Sequence, residues 1–176
     1  MKVLFVCSGN NKNGISPIIK NQGSSLQKCG VELDYFSIKG KGLLGYLNGI
    51  KTLRKYCRQN KYHIIHAHYS LSAFAATLAG CSQVVVSLMG SDLNENTYLH
   101  PVIKLFSRMF WKACIVKSID MAKKLAPLQV YVIPNGVNFN QFYQKEKYIA
   151  QNAVGFSSLK KNLLFLANPF RIEKNY

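Results

Sequence analysis

Ile64-Ile65-His66-Ala67-His68-Tyr69 is an apolar strand that stops abruptly in two histidines and a tyrosine. In open α/β sheets ligands bind outside the carboxyl ends of the strands, so polar side chains that appear where an apolar strand stops mark the wall of a cleft. Two more runs end in the same way, one at Gly90-Ser91-Asp92 and one at Pro134-Asn135-Gly136. Outward from these, short apolar runs alternate with helical stretches. Strands are predicted at 2–7, 31–38, 63–67, 84–89, 114–117 and 130–133, and helices at about 17–29, 43–59, 71–79, 101–112 and 119–125. The helix ends carry signals: Ser16-Pro17 reads as an N-cap with proline at the first helical position, and Gly30 stands where a glycine terminates the turn after Cys29. Such alternation predicts βα units on a parallel sheet, and right-handed crossovers make it a three-layer, doubly wound α/β domain.

The 176 residues carry 23 Lys and Arg against seven Asp and Glu, a formal net charge of +16. No acidic residue lies between Asp34 and Asp92, whereas Lys39, Lys41, Lys51, Arg54, Lys55, Arg58 and Lys61 all fall there. Leu43, Leu44, Leu47, Ile50, Leu53 and Cys57 recur at helical spacing, which places Lys51, Arg54, Lys55 and Arg58 on the outside of a basic amphipathic helix. Three readings of this face stay open: a solvated surface, nucleic acid, or anionic lipid headgroups, the last worth about 1 kcal/mol per basic residue near the surface. No DNA or RNA motif accompanies the charge, so nucleic acid is not expected as a partner.

Cys7, Cys29, Cys57, Cys81 and Cys114 are widely spread and form no C-x-x-C, which argues against a disulfide framework or a zinc site. Reduced thiols are the default, and no residue calls for a metal. The apolar start Val3-Leu4-Phe5-Val6 is too short for a secretory h-region, and no run reaches the roughly 18 apolar residues of a spanning helix. A soluble cytoplasmic protein is expected, peripheral on the inner face of a membrane if the basic helix meets lipid. From Gln141 the period is lost until Leu163-Leu164-Phe165-Leu166-Ala167, a buried-type strand with only nine residues after it. Residues 1–143 are therefore expected to form one domain, 144–160 a linker, and 161–176 the first strand and loop of a second.

Val3-Leu4-Phe5-Val6-Cys7-Ser8-Gly9-Asn10 resembles the start of low-molecular-weight tyrosine phosphatases. That chemistry needs an arginine six residues after the cysteine to hold phosphate in a bidentate fork, and an aspartate-proline general acid. Position 13 is Asn13 and the chain has no Asp-Pro, so Cys7 is read as a buried strand residue.

Taken in order, Asn13-Gly14-Ile15-Ser16-Pro17, Ile64 to Tyr69, Gly90-Ser91-Asp92-Leu93, Val132 to Asn138 with Phe142, and Asn168-Pro169-Phe170-Arg171 to Lys174-Asn175 resemble the N-terminal half of GT-B glycosyltransferases of retaining family 4. The resemblance spans essentially the whole chain. It implies a Rossmann-like acceptor-side domain that faces a donor-binding domain across a cleft. It also implies transfer of a sugar from a nucleotide-sugar to a hydroxyl acceptor, sugar or lipid-linked, in cell-surface polysaccharide or glycolipid synthesis. The nucleotide-sugar is a co-substrate, and no cofactor is implied.

His68 matches the family's cleft histidine near the reacting centre and is the expected catalytic residue. His66 shares its face of the strand, and with Tyr69, Ser91 and Asp92 it is an expected acceptor contact; a neutral imidazole both donates and accepts hydrogen bonds, as sugar hydroxyls require. Gly14 matches the loop whose backbone N–H groups approach the donor phosphates, and Arg171 and Lys174 match the cations that neutralise the diphosphate. Two departures stand out: Met89 replaces the histidine usual before the Gly90 loop, and the family's glutamate pair lies in a domain not contained in these residues. The chain alone is therefore expected to be an inactive half that needs a separate donor-binding chain. A non-catalytic binding or scaffold module on the same fold is the alternative.

Overall fold

Lys2–Ser8 (β1) shows how the sheet is built: Val3, Leu4, Phe5, Val6 and Cys7 are all buried, because both faces of the strand are covered. Val3, Phe5 and Cys7 pack with Ile19 and Leu33 on one side, while Leu4 and Val6 join a larger core on the other. The computed structural model describes residues 1–10, 14–40, 42–94, 97–157 and 159–163, without the side chains of 42–44. After β1 come Pro17–Lys28 (α1), Glu32–Ile38 (β2), Gly42–Gln59 (α2), Ile64–His68 (β3), Ser70–Leu78 (α3), Val84–Ser87 (β4) and Ser91–Asn94 (α4). A single 3-10 turn at Thr97–Leu99 then leads to His100–Met109 (α5), Trp111–Val116 (β5), Ile119–Leu125 (α6) and Tyr131–Val132 (β6).

The six strands are parallel in the order β2-β1-β3-β4-β5-β6. This is the expected doubly wound, Rossmann-like α/β sheet. α1 covers the Val3–Phe5 face. α2, α3, α5 and α6 supply Leu53, Ala73, Ile103 and Leu125 to the opposite core, which completes three layers. The chain runs from β1 to β2 in one direction and from β3 to β4 in the other, so the switch in winding falls between β1 and β3. Pairing of Val6 with Ala67 and of His68 with Ser87 aligns the three strand ends there.

Close packing depends on particular residues. Gly23 lets α1 approach β2, since a Cβ at that position would lie 1.9 Å from the Tyr35 hydroxyl and 2.7 Å from Leu33 Cδ2. α3 is thin where it meets the sheet, with Ser72, Ala73, Ala75 and Ala76 buried. The basic face of α2 is as expected, with Lys51, Arg54, Lys55 and Arg58 exposed and Leu53 fully buried.

Four local expectations change. β5 starts at Trp111, where a helix was expected to continue to Lys112; Trp111 is buried against Phe74 and Phe106, and that aromatic packing claims the residue for the sheet. Ser16 does cap α1 by position, with Pro17 at the first turn, yet its hydroxyl makes no capping bond. The dipeptide Asn135-Gly136 is one for which a turn with the glycine at positive φ is expected, yet Gly136 does not adopt it. Residues 147–153, expected inside a linker, form a short helix, Lys147–Ala153 (α7).

The chain divides into two units, Met1–Gly136 and Val137–Tyr176. The second contains α7, with no buried residue, and a turn in which Gln141 and Phe142 N–H groups donate to the Asn138 carbonyl. Of the expected strand Leu163 to Ala167, Leu163 is exposed without regular structure and 164–167 lie outside the described residues. Among the described residues no helix is long and apolar enough to cross a membrane.

Candidate functional site

The loops after β1, β3 and β4 share the carboxyl edge of the sheet, because all strands are parallel. Each carries expected residues: Gly14 after β1, Tyr69 after β3, and Ser91 and Asp92 after β4. Gly14 has φ +73, and a Cβ at that position would meet nothing within 4 Å among the described residues, so what the glycine supplies is a left-handed backbone rather than room. Tyr69 is the more unusual residue. Its φ of 85 and ψ of 145 lie close to a region almost confined to glycine, a conformation that costs on the order of 1–3 kcal/mol and that persists only when its surroundings enforce it.

The enforcing contacts are visible. Tyr69 N–H donates to the Ser87 carbonyl at 2.9 Å, and its own carbonyl accepts Ala73 N–H at 3.1 Å to begin α3. Asp92, fully buried, accepts Ser70 N–H on Oδ1 and Met89 N–H on Oδ2, both at 2.7 Å. Its carboxylate therefore latches the β4–α4 loop to the first turn of α3, the helix that precedes it in the chain. Burial raises the Asp92 pKa from its ordinary value, and the Ser70 side chain, followed by the backbone N–H groups of Met89, Ser70 and Asp92, opposes that rise.

His66 and His68 stack, with ring centroids 4.4 Å apart and planes 23° apart, and Phe5 meets both rings edge-on at 5.0 and 4.5 Å. The alternation rule that placed them on one face is met. Their exposure is lower than a cleft wall suggests: His66 is 7% and His68 1% accessible. His66 Nε2 lies 2.9 Å from Ser87 Oγ, and His68 Nε2 lies 3.1 Å from Gln22 Oε1 on α1. With that oxygen as acceptor, His68 carries its proton on Nε2, and Nδ1 is left as a buried lone pair with no partner among the described residues. Ser72 Oγ is buried and unpartnered among them as well. Unsatisfied buried polar atoms are rare in folded chains, and here they gather at the strand end where the winding reverses.

Burial pushes the His66 pKa down to about 4, with the Lys117 charge adding to it. His68 is pushed down to about 2, by burial first and then by His66 and Lys117. Both rings are neutral at pH 7 and serve as hydrogen-bonding groups rather than as cations. Lys117 directly follows β5, is half-buried, and has its own pKa lowered by burial.

Three residues of this cluster escape the sequence reading: Gln22, Ser87 and Lys117. Lys117 carried a readable signal, a lysine at the end of the apolar run Cys114-Ile115-Val116, whereas Gln22 sits in mid-helix with nothing to single it out. Arg171 and Lys174 lie outside the described residues. Among the described residues no group of three or more His, Cys, Asp or Glu side chains could hold a metal ion.

Residues 15–120 match the model of a family described as glycosyl transferase 4-like. The chain belongs to that family. The match contains His66, His68, Tyr69, Ser91 and Asp92, and Gly14 falls one residue before it. This glycosyl transferase 4-like chain is also similar in fold to the crystal structure of Acinetobacter baumannii MurG, with a TM-score of 0.53 and 14% sequence identity. The similarity covers 83% of this chain and 50% of that one, so the chain spans half the length of the structure it matches, consistent with the N-terminal domain of a GT-B fold. No curated protein matches it by sequence.

Proposed function

We propose that this chain is the acceptor-binding half of a retaining glycosyltransferase, which moves a sugar from a nucleotide-sugar to a hydroxyl of a sugar or lipid-linked acceptor during cell-surface polysaccharide or glycolipid synthesis. The observation that carries the reading is the cluster at the β1/β3 switch, where neutral stacked histidines, a His68 Nδ1 unpartnered among the described residues and a strained Tyr69 coincide within the family match. The acceptor hydroxyl is oriented by His66, Tyr69, Ser91 and Asp92, and His68 hydrogen-bonds at the reacting centre. The loop at Gly14 approaches the donor phosphates, with Arg171 and Lys174 as countercharge. Residues 1–143 act as the acceptor domain, 144–160 as the connection, and 161–176 open the donor-binding domain, on which transfer depends.

The membrane is the proposed site of action. A groove of about 430 Å³ between α2 and α3 is lined by Tyr46, Leu47, Ile50, Leu71, Phe74, Ala75 and Leu78, with Leu47 and Leu78 about half exposed. The exposed Lys51 and Lys55 rise from the same helix, so apolar surface and positive charge occur together as an anionic bilayer surface requires.

The test supplies a donor-binding domain in trans and follows transfer of labelled sugar from uridine and guanosine diphosphate-sugars. Activity appearing only in the mixture, and reduced at least tenfold by His68→Ala, supports the half-enzyme; a mixture indifferent to His68→Ala supports the scaffold alternative. For the membrane, salt-sensitive pelleting with phosphatidylglycerol vesicles is expected, and no pelleting at low ionic strength removes that part.

A further inference from the structure

Where the end of α2 meets the end of α3, two thiols come together. Cys57 in the last turns of α2 and Cys81 just beyond α3 place their sulfurs 3.2 Å apart, with the Cys81 S–H donating to Cys57 Sγ. The contact is prepared from both sides. Arg54, one turn before Cys57 on the same face of α2, donates from Nη2 to the Leu78 carbonyl at 2.8 Å and from Nε to the Ala79 carbonyl at 3.3 Å, clasping the end of α3. Gly80 then turns the chain with φ +79, and Cys81 N–H donates back to the Ala76 carbonyl at 3.1 Å, which fixes the Cys81 backbone. Both cysteines are partly exposed, unlike the buried Cys7 and Cys114. The Cys57 pKa is lowered by the hydrogen bond from Cys81, whereas that of Cys81 is raised by the same bond and by burial, so Cys57 is the thiol that ionises first.

We propose that Cys57 and Cys81 form a reversible dithiol–disulfide pair that reacts with small disulfides of the glutathione type and, when oxidised, staples α2 to the end of α3. The Cys57 thiolate attacks one sulfur of the glutathione disulfide, forming a mixed disulfide and expelling a glutathione thiolate. Cys81 gives its proton to that leaving thiolate, and its own thiolate attacks the Cys57 sulfur, forming the Cys57–Cys81 bond and expelling the second glutathione. Two protein thiols are oxidised and one glutathione disulfide is reduced to two glutathione thiols. Closing 3.2 Å to a bond of about 2.05 Å takes only about 1 Å of side-chain movement. The helices joined are the two walls of the apolar groove, so the redox state of the pair fixes their separation at the Leu78 end.

The experiment uses the chain with Cys29→Ser, which removes the exposed thiol and leaves four of the five cysteines. The native protein is incubated with oxidised glutathione, quenched in acid and denatured, and its thiols are counted; non-reduced proteolysis then identifies any linked peptides. The expected result is a fall from four thiols to two, a peptide pair joining Cys57 to Cys81, a Tm raised by roughly 5–10 °C, and full reversal by dithiothreitol. Cys57→Ser and Cys81→Ser are each expected to abolish the linked pair and the rise in Tm. Four thiols remaining, two stable glutathione adducts without a link, or a link involving Cys7 or Cys114 would each overturn the proposal.

Discussion

Removing His66 and His68 should change the acid stability of this chain in a way that its other titrating groups cannot imitate. The folded pKa values, about 4 for His66 and about 2 for His68, lie below the unfolded value of 6.5. Between pH 6.5 and 4 the unfolded chain binds two protons that the folded chain refuses, so stability is full above pH 6.5 and falls as the pH drops. Each group contributes about 1.4 kcal/mol per pH unit, so the pair contributes about 2.7 per unit and about 4 kcal/mol between pH 6.5 and 5. That is a large share of the roughly 5–15 kcal/mol that holds a domain together. The assay is urea unfolding followed by Trp111 fluorescence at half-unit steps from pH 7.5 to 4.5. Wild type should lose stability steeply; His68→Gln should lose about half as much per unit, and His66→Asn with His68→Gln little. Asp92 acts with the opposite sign, since its raised folded pKa makes stability decline as pH rises through its titration, and it cancels in the comparison because every variant retains it. Equal pH slopes in wild type and the double variant would refute the claim that the folded chain keeps both rings neutral.

Other perturbations test the supports of the same edge. Asp92→Ala strands the Ser70 and Met89 N–H groups and should destabilise by about 2–5 kcal/mol in thermal unfolding, with Asp92→Asn smaller because one oxygen remains an acceptor. Gly23→Ala drives a methyl into the Tyr35 hydroxyl and Leu33 Cδ2 and should cost about 1–3 kcal/mol, only part of it recovered by adding Tyr35→Phe because the Leu33 contact remains, as measured by urea midpoint. At Tyr69 the usual ranking reverses: Tyr69→Gly should be more stable than Tyr69→Ala by about 1 kcal/mol, since glycine accepts φ 85 without strain.

Much of this architecture is readable in the chain because it rests on local pattern. Six buried runs separated by amphipathic stretches give the strands and helices, and the places where apolar runs stop put His66, His68, Ser91 and Asp92 at the carboxyl edge of the sheet, where the structure has them. What escapes depends on tertiary contact. The partner of His68 is Gln22, 46 positions away on α1, and no local pattern links them. Asp92 resembles a cap for the helix after it, yet its oxygens reach back to the start of α3, a choice made by the crossing of two loops. Trp111 could continue a helix until Phe74 and Phe106 claim it for the sheet. The torsion of Tyr69 is set by neighbours on another strand, so its side-chain identity carries no trace of it.

Those neighbours converge on one residue. Ser87, at the end of β4 and fully buried, accepts the Tyr69 N–H on its carbonyl and meets His66 Nε2 with its hydroxyl. The strain of one rim residue and the orientation of the imidazole beneath it are therefore set by the same short strand. The Asp92 carboxylate fixes the loop that leaves that strand against the helix Tyr69 begins. An edge arranged in this way has little freedom to rearrange around a ligand. Its polar groups are held in place before any ligand arrives, and the ordering cost that a mobile loop would incur on binding is met when the chain folds. On the proposed acceptor role, affinity at such an edge is set by which hydroxyl pattern meets the fixed donors and acceptors, so substitutions at Ser87 or Asp92 should broaden acceptor choice as well as weaken binding in a transfer assay with varied acceptors, whereas changes on the basic face of α2 should leave that choice untouched.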